Sequence, residues 1–148
     1  MYGFETSERL SIQNANRRLV QKLKDDFGML YRELGSTKNN TKRSGLLRHK
    51  IIQTAINLVC FRNKRDLGVI YEEYFNPFPV TGLAFIFTAI ECCIDEWASG
   101  TRTEVSFTEE GYKEVYDRHV ANLRKFDEHT RAHEILPTLL QRLHDSGW

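Results

Sequence analysis

The chain has 148 residues, 41% apolar and 28% charged, with nine Gly, three Pro and a formal charge of +1. That composition fits one globular domain burying roughly two thirds of its unfolded surface, and it excludes a disordered or fibrous chain. The near-neutral total excludes a molecule-wide field that would recruit an anionic partner.

At the N-terminus, MYGFETSERL contains no basic-then-apolar leader. Without a secretory signal the expected setting is intracellular, cytoplasm or nucleus. Thr6 or Ser7 can cap a helix with apolar residues at Ile12, Ala15, Leu19, Leu23, Phe27, Leu30, Tyr31 and Leu34. Steps of three and four place these on one face. The spacing predicts a long amphipathic helix over 7–34, ~40 Å if unbroken, with Gly28 as a bend and Gly35 as the stop.

The stretch STKNNTKRSGLLRHK (36–50) holds five Lys or Arg, one His and no acid. Ser44 is the expected cap of a second helix, with Leu47, Ile51, Ile52, Ala55, Ile56, Val59 and Cys60 on its buried side. YFNPFPVT (74–81) reads as a rigid connector, because each Pro biases its predecessor away from helix. Thr81 then caps GLAFIFTAIECCI, apolar almost all round and therefore central, stopped by Gly100. TRTEVSF (101–107) alternates like a short extended piece. Ser106-x-x-Glu109 resembles a capping box opening a fourth long helix, buried through Tyr112, Val115, Tyr116, His119, Val120, Leu123 and Phe126. Pro137 sits at the start of a last helix, Thr138 to His144. The expectation is an all-α, single-domain helical bundle of about five helices over 1–148. Within it, 1–35 is the long N-terminal helix, 36–45 the basic loop and 46–148 the helical core.

Charge is unevenly laid out. Between Glu33 and Asp66 lie eight Lys or Arg and no acid, while 66–110 carries nine acids and Arg102 alone. The residues expected to bind a partner are Lys38, Lys42, Arg43, Arg48, His49, Lys50, Arg62, Lys64 and Arg65. Such a segment can neutralise phosphates with little sequence preference, so DNA or RNA is one expected class of partner. Against it, no aromatics interleave the bases as a single-strand platform requires. A protein partner or self-association is the first expectation, and a solvated basic face answered by the acidic segment is the bland one.

Other chemistry is thinly supported. The apolar run Val80–Cys93 is too short to span a bilayer, so no membrane is expected. Cys60, Cys92 and Cys93 each lie in apolar runs and read as buried free thiols. His129 and His133 are four apart but lack the Glu and third ligand of a zinc protease, so no metal or other cofactor is expected. Glu91, Asp95 and Glu96 form an acidic helix face placed against the helix dipole, which suggests that a cation elsewhere answers them, within 38–65 for instance. His119 lies on an apolar stripe, as a satisfied core histidine does, and Trp97 is expected to anchor the turn after its helix. No catalytic residue is assigned, and the chain is expected not to be an enzyme.

The segment NPFPVTGLAFIFTAIECCIDEWASGTRTEVSFTEEGYKEVYDRHVANL (76–123) resembles an uncharacterised helical domain family expanded in mushroom-forming basidiomycete fungi. The resemblance rests on an Asn-Pro-x-Pro connector, an apolar helix, an acid-Trp-x-x-Gly-x-Arg turn, then Phe, and a helix bearing Tyr112, Tyr116 and His119. It implies an all-helical fold, a fungal intracellular setting and a chain that is a piece of a larger protein. That family has no established activity, so the resemblance carries no catalytic residues across.

Overall fold

Apolar steps of three and four bury Val20 and Leu23 on one side of the first helix, α1 (Leu10–Lys24). The computed structural model describes residues 2–33 and 44–148 of the chain. Among the described residues the other elements are β1 (Tyr31–Glu33), β2 (Ser44–Leu46), α2 (Lys50–Cys60), α3 (Leu67–Ile70), α4 (Glu72–Phe75), α5 (Val80–Asp95), α6 (Glu109–Thr130) and α7 (Ile135–Gly147). Five helices are seven residues or longer, and the sheet is a two-stranded ribbon, so the chain is all-α in class. Two compact units emerge, residues 1–52 with 89–108, and 53–88 with 109–148. The chain passes from one to the other inside α2, inside α5 and at the start of α6.

In the first unit the expected helix over 7–34 is shorter at both ends. Ser7 Oγ accepts the Arg9 N–H at 3.1 Å, forming a turn before α1 rather than capping it. After Lys24 the backbone turns left-handed at Asp26 and Phe27 (φ 45° and 56°), a 3-10 turn carries Asp25–Leu30, and the chain becomes β1. Two acids at a helix C-terminus oppose its dipole and weaken continuation there. The break therefore falls just before Gly28, and Gly35 lies outside the described residues.

Ser44, expected as a helix cap, lies instead in β2, which pairs antiparallel with β1 (Tyr31 opposite Leu46, Glu33 opposite Ser44). Gly45 has φ +70°, and a Cβ there would stand 2.7 Å from Arg32 Cβ, so the close pairing requires glycine. The N-terminal arm is tied down by Asn16, buried on α1. Its Nδ2 donates to Glu5 O (2.8 Å) and Gly100 O (2.9 Å), and its Oδ1 accepts from Glu5 N (3.3 Å). Trp97 stacks on Phe4 with centroids 5.0 Å apart, and Trp97 O accepts the Gly100 N–H, so it anchors this turn as expected. Residues 102–107 form no strand; Thr103 N–H donates to Glu96 O instead.

In the second unit the apolar face of α7 (Leu136, Leu139, Leu140, Leu143) is buried. Leu140 O accepts from Phe78 N (3.1 Å) and Leu143 O from Gln53 Nε2 (3.1 Å). α7 begins at Ile135, with Pro137 inside its first turn where a missing N–H costs little. α6 begins at Glu109, so Glu109 is its first residue rather than its third and the expected Ser106 capping box is out of register by two. His119 is 1% exposed and meets the Phe87 ring edge-on at 5.6 Å, the environment of a core histidine. No described helix is long and apolar enough to cross a membrane.

Candidate interaction surface

Of the nine residues expected to bind a partner, Lys38, Lys42 and Arg43 lie outside the described residues. The other six fall in two groups, one at the start of α2 and one after it. Arg48, His49 and Lys50 belong to the first unit, and Arg62, Lys64 and Arg65 to the second.

His49 has a local structural role. Its Nδ1 accepts the Ile51 N–H at 3.1 Å, capping α2, and its ring lies 4.7 Å from that of Tyr2. An accepting Nδ1 carries no proton, and burial followed by the Lys50 charge holds the imidazole below its ordinary range. Tyr2 in turn donates its hydroxyl to Met29 O (2.9 Å) and is held protonated by burial and by the neighbouring Cys93. Arg48 and Lys50 are exposed.

The second group sits on a built loop. Asn63 and Asp66 close it, with Asn63 Nδ2 and N donating to the two Asp66 carboxylate oxygens (2.9 and 3.1 Å) and Asn63 Oδ1 accepting from Arg65 N (2.8 Å). Arg62, Lys64 and Arg65 are left exposed.

The loop leads into α3 and α4, nine residues of almost continuous helix broken at Tyr71 (φ −112°, ψ 46°). Here the amphipathic logic is inverted. Leu67, Ile70, Tyr71 and Tyr74 follow the i, i+3, i+4, i+7 spacing of an apolar stripe, yet they are 54%, 56%, 48% and 68% exposed. What faces inward is Gly68, where an added Cβ would stand 2.4 Å from Phe61 Cε1, and Phe75, which meets the Phe61 and Phe78 rings. The backbone of α3 lies so close to Phe61 that its larger side chains turn outward. Glu72 and Glu73, also exposed, flank the stripe at its C-terminal half. Among the described residues no ion pair engages Arg62, Lys64, Arg65, Glu72 or Glu73. Sequence reasoning missed this surface because no helix was assigned between Cys60 and the connector at 74–81. The spacing of the four apolar residues was the available signal.

Among the described residues, two cations stand against the acidic helix face. Lys24 Nζ lies 2.5 Å from Asp95 Oδ1 and 3.9 Å from the buried Glu91, and Arg102 Nε lies 3.1 Å from Glu96 Oε2. These two cations come from the end of α1 and the turn after α5, while Lys38, Lys42 and Arg43 lie outside the described residues. Cys60 and Cys92 are buried, as expected, whereas Cys93 is exposed. Burial, then Glu96 and Cys92, holds the Cys93 thiol above its ordinary range, which makes it a poor nucleophile. Among the described residues no three His, Cys, Asp or Glu side chains gather into a metal site.

Neither the curated proteins nor the solved structures contain a match to this chain. A family model described as Domain of unknown function (DUF6532) matches residues 1–126, and the chain belongs to that family.

Proposed function

We propose that this chain is a non-enzymatic helical module for protein–protein interaction or self-association, working inside the cell. The observation that carries this reading is the outward stripe Leu67, Ile70, Tyr71 and Tyr74, a set of anchors at the spacing used when a helix docks on another protein. Tyrosine suits such a surface, since its ring supplies apolar area and its hydroxyl tolerates water. A fungal setting, from the resemblance of 76–123, and membership of a larger protein belong to the same proposal. Size-exclusion chromatography with light scattering at low and high salt, with and without Ile70→Asp, tests it. The expected outcome is an assembly weakened by the substitution, and a monomer indifferent to salt removes the self-association half of the reading.

A second reading, nucleic-acid binding through the basic segment, is favoured by one observation. Arg48, Arg62, Lys64 and Arg65 are exposed and none is in an ion pair with another described residue. Fluorescence anisotropy with duplex and single-stranded DNA and RNA across a salt series decides it. Binding absent at ~50 mM salt, or indifferent to salt, eliminates it. If binding occurs, reversing Lys42, Arg43, Arg48 and Lys50 should abolish it, while changing Lys113 and Arg124 should not.

A further inference from the structure

We infer that the occupant of the Leu67–Tyr74 stripe is a second copy of this chain, docked across a two-fold axis with the two stripes antiparallel. This rests on the interaction reading above and gives that surface its partner. The argument is charge order along the stripe. At its N-terminal end stand Arg62, Lys64 and Arg65, held outward by the Asn63–Asp66 hydrogen bonds, and at its C-terminal half stand Glu72 and Glu73. A two-fold contact places the same patch on both sides, so residue i meets j and j meets i. Reversing the direction of one stripe brings the three bases of each copy to the two acids of the other, while the four apolar side chains meet in the middle. A parallel arrangement sets acid against acid and base against base and is repelled. All five charges are exposed and in no ion pair with a described residue, so pairing them dismantles no ion pair among the described residues. A nucleic acid or an anionic lipid surface fits the same patch poorly, because exposed Glu72 and Glu73 flank the two tyrosines such a ligand would touch.

The test uses the whole chain and two charge-reversed variants, one carrying Arg62→Glu, Lys64→Glu and Arg65→Glu, the other Glu72→Lys and Glu73→Lys. Light scattering coupled to size exclusion, at low salt and micromolar to ~100 µM protein, is expected to show a dimer for the wild type. Each variant alone is expected to be monomeric, and an equimolar mixture of the two should restore a mixed dimer, because one patch is then wholly acidic and the other wholly basic. Adding Ile70→Asp to either variant should abolish the mixed dimer, with circular dichroism melts confirming that every variant is folded. A wild-type dimer unaffected by both charge reversals and by Ile70→Asp overturns this inference while leaving self-association intact. A wild type monomeric at every concentration overturns it and also removes self-association from the broader reading, leaving only a different protein as partner.

Discussion

At the scale of single residues, the side chains that look reactive in the sequence are the ones the fold uses as fasteners. His49 caps α2 through Nδ1, so His49→Ala should cost about 1 kcal/mol of stability, while His49→Asn should retain most of the cap. Because burial and Lys50 lower the folded pKa of His49, the unfolded chain takes up its proton first as the solution is acidified. Its contribution is complete above the unfolded value of ~6.5 and is lost as pH falls from there toward the lowered folded value. Urea denaturation at pH 8 and pH 5 should show a loss of stability on acidification that is smaller in His49→Asn than in the wild type. Asn16 carries more. Removing its amide orphans the Gly100 and Glu5 carbonyls together, so Asn16→Ala should cost about 2–3 kcal/mol, measurable in the same denaturation assay. His144 runs the other way. Its Nδ1 faces Asp145 at 3.2 Å, but its buried Nε2 has no hydrogen-bond partner among the described residues, and its ring packs against Phe61 and Trp148. His144→Phe keeps the ring and discards the orphan atom, so it should raise stability by about 1 kcal/mol. None of these roles is legible from residue type, since each depends on the groups that the fold brings close. His119 and Trp97 were legible, because an apolar stripe and a helix end already define their surroundings.

At the scale of elements, periodicity located the long helices and misjudged their ends. α5 and α7 follow apolar patterns that leave little choice of face, and the proline connector before α5 was plain from Asn76-Pro77-Phe78-Pro79. What periodicity could not see was the left-handed backbone at Asp26 and Phe27, which ends α1 within an uninterrupted apolar repeat, or the pairing of β1 with β2. Strand pairing joins segments that share no local signal, and three-residue strands are too short to announce themselves by alternation. The surface stripe on α3 and α4 has a clear element-scale cause in Gly68. Gly68→Ala drives a methyl into Phe61 and the Cys60 carbonyl, so it should destabilise the protein by about 1–3 kcal/mol. If the stripe is the docking surface, the same substitution should also weaken assembly at temperatures where the protein remains folded, which light scattering reads directly.

At the scale of the whole chain, a formal charge of +1 conceals strong local order, and that order was visible in the sequence. Which charges meet was not. Among the described residues Lys24 pairs with Asp95 and lies near Glu91, Arg102 pairs with Glu96, and the bases after α2 are exposed. Exposed pairs contribute little to folding, so unfolding midpoints should change little between ~50 mM and ~500 mM salt while any assembly through the stripe weakens markedly. Comparing thermal melts with light scattering over one salt series separates the two. The interleaved course of the chain has a practical consequence. Because each unit is stitched from two stretches of sequence and the seams run through α2 and α5, no single scissor cut yields an intact half. A fragment ending at residue 126, where the family match stops, would still lose the last turn of α6 and all of α7, and with it the hydrogen-bond acceptors for Phe78 and Gln53. Deletion mapping of a binding region would therefore report unfolding at almost every boundary, and only point changes on an otherwise entire polypeptide can assign its contacts.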